Sequence, residues 1–223
     1  MKTRTPESGS ENRESSGVRR SAFTSLLIPC SLLAVCLCFA VPAQAGAQRE
    51  EALSASVRAV LHRSVADQAA PKLAFANRQE ANKWLNEMSQ RLQSRMPNRA
   101  ARVEFLSTVH YEATRAGLDP HLVLALIEVE SGFRKYAVSK AGARGYMQVM
   151  PFWTRSIGVP EHNLFHLRMN LRYGCTILRH YLDLEKGNIH RALGRYNGSL
   201  GKAKYPQRVH AIWQKKWKPA SRS

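Results

Sequence analysis

Apolar residues recur at three- and four-residue steps along most of this chain, and no stretch alternates convincingly with period two. That pattern predicts an all-α or nearly all-α protein. Ala81, Trp84, Leu85, Met88 and Leu92 mark one helical face, stopped at Met96-Pro97-Asn98. Val103, Leu106, Val109 and Ala113 mark a second, ending at Gly117. Asp119-Pro120 is a strong start signal, since Asp caps free amides and Pro is pre-set for the first turn. The segment it opens, His121 to Val129, is apolar almost all round, which describes a helix buried in mid-domain. Asn170 is expected to cap a helix carrying Leu171, Gly174, Cys175, Leu178 and Leu182, ended by Gly187. Asn188 then caps another through Ala192, Leu193 and Tyr196, stopped at Asn197-Gly198, and a final helix opens at Pro206 with Val209, Ile212, Trp213 and Trp217. Residues 139–144 read as a turn-prone loop, Tyr146 to Met150 as a short apolar piece closed by Pro151, and 48–72 as a weak helix or linker.

The amino-terminal 45 residues break this periodicity. A polar stretch ends in Arg19-Arg20, an apolar stretch runs from Ala22 to Val41, and Pro42-Ala43-Gln44-Ala45 follows, the order of a secretory signal with an Ala-x-Ala cleavage site. Uncut, the apolar stretch is long enough to anchor the chain in a bilayer. A twin-arginine signal and a lipid on Cys36 are the minor alternatives. Cleavage removes Cys30, Cys36 and Cys38 and leaves Cys175 alone, so an intramolecular disulfide is excluded and packing must hold the fold. The expected organisation is a signal peptide over 1–45, an N-terminal helical extension or linker over 46–100, a catalytic domain over 101–217 and a tail over 218–223. The destination is the periplasm or cell envelope.

The formal charge is +18, and removing the five basic and three acidic residues of positions 1–45 leaves +16. A cation of that size favours polyanions as partners: nucleic acid, anionic lipid or an acidic cell-wall polymer. The chemistry narrows the choice. Glu130 ends the apolar helix, and burial in an apolar wall keeps a carboxyl protonated near neutral pH. Glu128, two residues away, points to a different face and cannot pair with it; the bland reading for either is a solvated carboxylate beside Arg134 or Lys135.

Three motifs follow in order: Glu130-Ser131-Gly132-Phe133; Ser139-Lys140-Ala141-Gly142-Ala143-Arg144-Gly145-Tyr146-Met147-Gln148-Val149-Met150-Pro151; and Tyr196-Asn197-Gly198. Together they resemble the signature of the soluble lytic transglycosylase family, from about Leu106 to Trp217. The resemblance implies a lysozyme-like fold with Glu130 as general acid and then base, and Ser131 beside it. It also implies a glycan groove lined by Met147, Gln148 and Met150, a Tyr196 hydroxyl bonded to the catalytic carboxyl, and Asn197 shaping that loop. Tyr146 stands where the family mostly has Leu, and Arg195 where a small Ala is common.

After Glu130 the acids are Glu161, Asp183 and Glu185, none a persuasive second carboxylate of the kind a two-carboxylate hydrolase needs. The family's reaction needs one, because the C6 hydroxyl of N-acetylmuramic acid replaces water and leaves a 1,6-anhydro end. The expected activity is therefore cleavage of peptidoglycan between N-acetylmuramic acid and N-acetylglucosamine. A water-using muramidase and a non-enzymatic basic envelope protein that binds glycan stay open, and loss of Glu130 separates enzyme from binder. His110, His121, His162, His166, His180, His190 and His210 lack ligand spacing, so no metal and no cofactor are expected. The expected partner is the glycan strand, with no nucleic acid, a monomeric state, and an envelope-spanning machine left open. Cys175 reads as a buried small hydrophobe. Trp84, Trp213 and Trp217 read as core, and Trp153 as a substrate contact.

Overall fold

The computed structural model describes residues 48–66 and 73–218, so the expected signal and its three cysteines lie outside the described residues. Among the described residues the regular elements are eight α-helices: α1 (Ala55–Ala66), α2 (Arg78–Leu92), α3 (Arg99–Arg115), α4 (Pro120–Ser131), α5 (Phe152–Ile157), α6 (Leu167–Leu184), α7 (Ile189–Tyr196) and α8 (Lys204–Ile212). A single π-helical turn, Trp213–Trp217, continues α8. Extended pairing is limited to the isolated bridges Val138–Arg144 and Arg144–Val149, so the all-α expectation holds.

The helix starts follow from side-chain chemistry. Asn77, Asn98, Asp119 and Asn188 each accept a hydrogen bond from the first turn of the helix they precede. Helix α4 is the buried centre: Leu122, Val123, Leu124, Ala125, Leu126 and Ile127 are all enclosed. It packs against α3, α8 and the π-turn, while α2 packs on α3 and α1 lies on α5 and α6. At its start Asp119 also accepts from His121 Nδ1 and Trp213 Nε1, both at 2.9 Å, which ties α4 to the end of α8.

A second buried element is ionic. Glu112 on α3 is fully enclosed and meets Arg172 at 2.8 Å, Arg115 at 3.1 Å and Arg168 at 3.5 Å, joining α3 to α6 through one carboxylate. Cys175 is fully buried, as its apolar face predicted, and burial pushes its thiol well above the usual range.

Several expectations are corrected. Helix α6 starts at Leu167, and Asn170 is no cap: its Oδ1 accepts from Met147 N, and its Nδ2 donates to the carbonyls of Arg144 and Leu164, each at 2.8 Å. Helix α5 directly after Pro151 was not expected at all, because six residues are too few to show a period. Helix α8 begins at Lys204, two residues before Pro206. Residues 55–66 of the weak N-terminal stretch form a full helix, stabilised by Leu61 and Val65 against the core rather than by propensity.

Candidate active site

Glu130 sits in the last turn of α4, which Gly132 ends in the left-handed conformation at φ 58°. The residue is 3% exposed. The Tyr205 hydroxyl, from the first turn of α8, donates to Oε1, while Oε2 is buried without a partner. Burial pushes the Glu130 carboxyl up to about 8; the Tyr205 bond and the Arg208 guanidinium pull in the other direction but do not win. The group is therefore protonated at neutral pH, as a general acid must be.

Tyr196 differs from expectation. Its hydroxyl donates to the Met147 carbonyl at 2.8 Å, and it is Tyr205 that bonds to Glu130. Tyr196 still lies close enough for the Glu130 charge to raise its own proton affinity. It thus fixes the loop beside the acid rather than the acid itself.

Most of the other residues assigned to the groove are placed as loop architecture. Ser131 is buried and donates to the Ile127 carbonyl at 3.1 Å. Met147 is fully enclosed, and a Cβ on Gly174 of α6 would come within 2.4 Å of its sulfur. Gln148, buried at a left-handed φ of 49°, donates through Nε2 to the carbonyls of Gly145 and Ala137 at 2.9 and 3.1 Å. Its side chain thereby adds to the backbone bonds that already cross the loop between Arg144 and Val149 and from Gly145 to Ala137. Gly145 has φ 75° and a Cβ there would strike Asn170 and Leu164, so only glycine fits. Met150 is half-buried, and Asn197 donates to the Ser199 hydroxyl at 3.0 Å. Trp153, expected at the substrate, is 1% exposed and packs beside Tyr181. Trp84 and Trp217 are buried.

Glu128 occupies the other face of α4, as the spacing required. Its partners are Lys216 at 2.5 Å and Trp217 Nε1 at 2.8 Å, not Arg134 or Lys135, so it clamps the π-turn. Of the later acids, Asp183 pairs with Arg179, and Glu185 with Arg191 and Arg195. The full charge that acts on Glu130 is a cation, Arg208. Beside the end of α4 a cleft of about 510 Å³ is lined by Ser131, Gly132, Arg95, Arg134 and Arg208, and also by Glu128, whose carboxylate is held by Lys216 and Trp217. His110 is stacked on Phe75 at 4.3 Å, and burial beside His121 lowers it to about 4. Among the described residues no three His, Cys, Asp or Glu side chains gather as a metal site.

Three residues of this site escaped the sequence reading. Tyr205 and Arg208 are single polar residues in a lysine-rich turn and on the exposed side of α8. Gln48 is the third: its Oε1 accepts from Trp153 Nε1 at 2.9 Å and from Met150 N at 3.3 Å.

Residues 107–217, the span that contains Glu130, Tyr196 and Tyr205, match the model of the transglycosylase SLT domain. The chain belongs to this family. Among curated relatives of this SLT chain is the transglycosylase of Enterobacteria phage PRD1, 31% identical over 103 residues, 46% of this chain and 38% of that protein. Membrane-bound lytic murein transglycosylase C of Edwardsiella ictaluri (strain 93-146) is 39% identical over 114 residues, 44% of this chain and 32% of that protein. The same enzyme of Actinobacillus pleuropneumoniae serotype 5b (strain L20) is 50% identical over 48 residues, 22% of this chain and 13% of that protein. The SLT chain thus spans well under half the length of these relatives.

Proposed function

We propose that this SLT protein cleaves the β-1,4 bond between N-acetylmuramic acid and N-acetylglucosamine in peptidoglycan and forms 1,6-anhydromuramoyl ends. The observation that carries the reading is a buried carboxyl with no ion-pair partner, Glu130, held protonated to about pH 8 within the matched domain, whereas the other buried carboxylate there, Glu112, is paired with arginines. Glu130 gives its proton to the bridging oxygen as the bond from that oxygen to the anomeric carbon breaks. The resulting carboxylate, favoured by Tyr205 and Arg208, takes the proton of the C6 hydroxyl, whose oxygen bonds to the anomeric carbon. One group serves twice, which suits a site where the acting charge is a guanidinium and not a second carboxylate.

Met150, Ser131 and Asn197 are the candidate glycan contacts, while Met147, Gln148 and Tyr196 hold the loop that carries Met150. The relatives named membrane-bound murein transglycosylases support a place in the cell envelope, reached by removal of residues 1–45. Amino-terminal sequencing that begins at Gly46 tests the removal. The enzyme acts as a monomer on glycan strands. Mass spectrometry of muropeptides tests the reaction: the wild-type chain releases anhydro ends and Glu130→Gln does not, because an amide keeps the shape but has no proton to give. Activity of Glu130→Gln within a few-fold of wild type sinks the assignment.

A further inference from the structure

Three elements each bring a guanidinium to the cleft beside the end of α4. Arg95 comes from the turn that follows α2, where its backbone N–H donates to the Leu92 carbonyl, and its Nη1 would lie 3.9 Å from a Cβ on Gly132. Arg134 comes from the turn after α4 and is aimed by its Nε, which donates to the Ser131 carbonyl at 2.9 Å. Arg208 comes from α8, three residues beyond Tyr205 and so on the same side of the helix, and its charge reaches Glu130. All three residues are exposed, and among the described residues none of them takes part in an ion pair.

Like charges gathered in one cleft repel, so the arrangement costs free energy that a bound anion restores. The carboxylate that lines the cleft, Glu128, is already shared between Lys216 at 2.5 Å and the Trp217 indole at 2.8 Å, and one carboxylate cannot answer four cations. A guanidinium fork matches a carboxylate through two parallel N–H···O bonds. At about 510 Å³ the cleft has the size of a ligand site, with room for a short peptide segment rather than for a carboxylate alone. In peptidoglycan that chemistry hangs from the sugar whose bond is cut: the lactyl group of N-acetylmuramic acid carries a short peptide with free carboxylates.

We propose, resting on the transglycosylase reading, that this cleft seats a carboxylate of the peptide borne by N-acetylmuramic acid, with Arg95 and Arg134 as the residues that select peptide-bearing strands. Arg208 closes the seat on the side of the acid.

The test uses the full chain with Glu130→Gln, so that nothing is cut, and titrates three compounds by calorimetry. They are a disaccharide of N-acetylglucosamine and N-acetylmuramic acid bearing a tetrapeptide, the same compound with its carboxyls amidated, and the disaccharide without peptide, whose one carboxylate is the lactyl group. The first binds about ten-fold more tightly than the other two. Exposed ion pairs are individually weak, so Arg95→Gln and Arg134→Gln each remove about three-fold of that advantage and together nearly all of it. Arg78→Gln, which removes one exposed charge at the far end of α2, leaves the advantage intact. With Glu130 intact, Arg95→Gln raises KM for peptide-bearing strands and holds kcat. Equal binding of the free and amidated compounds, equal binding of the peptide-free disaccharide, or an advantage that survives the double arginine variant overturns the seat. If the arginine-dependent advantage is found but the wild-type chain releases no anhydro ends, the seat stands and the transglycosylase reading falls.

Discussion

The proton affinity of Glu130 is a contest between burial and two neighbours, and each neighbour can be removed separately. The Tyr205 bond favours the ionised carboxyl, so Tyr205→Phe moves the affinity further up from about 8. The alkaline limb of the rate profile, where the acid form is lost, shifts to higher pH in that variant. A hydrogen bond to a charged group is worth about 1.5 to 3 kcal/mol, and its loss from the carboxylate stage slows turnover by about ten- to a hundred-fold. A pH series of muropeptide release measures both effects; an unmoved limb removes Tyr205 from the acid's environment. Glu130 was legible in the sequence because an apolar helix isolates it and three motifs follow it. Tyr205 was not, since the bond joins residues 75 positions apart and Lys202-Ala203-Lys204 gives no periodic sign of a buried face.

At the scale of elements, α6 acts as a template for the loop beside the acid. Asn170 supplies three hydrogen bonds to that loop and its neighbour, and Gly174 leaves room for Met147. Gly174→Ala forces a Cβ into the Met147 side chain, an overpacking that destabilises by about 1 to 3 kcal/mol despite the better helix propensity of alanine. Denaturant titration reads the loss, and a more stable variant contradicts the packing. The faces of α2, α4, α6 and α7 were legible from their spacing. Asn170 was misread because one amide chemistry serves both caps and loops, and only the fold decides which backbone groups it meets. Gln48 and α1 were unreadable for the opposite reason: their order comes from the surface they cover.

For the whole molecule, Glu130 carries a stability cost that depends on pH. The native state keeps its proton up to about 8, whereas an unfolded carboxyl loses it near the ordinary glutamate value of about 4.5. Between those values the native state holds more protons, so stability falls as pH rises and the full cost is reached above about 8. Glu130→Gln removes this slope and is more stable at pH 9 by on the order of a few kcal/mol, while near pH 4 the two chains converge. Thermal melts across that range decide it. The ionic knot of Glu112 answers to a different variable. Its carboxylate and the Arg172 guanidinium have almost no solvent contact, whereas basic residues such as Arg49, Arg99, Lys140 and Lys202 are exposed to salt. The Debye length shrinks from about 10 Å at 0.1 M salt to about 3 Å at 1 M. Raising sodium chloride from about 0.1 to about 1 M is therefore expected to weaken whatever ionic contacts the exposed basic side chains make while it leaves the Glu112 knot intact, so surface adhesion and folding answer to salt differently.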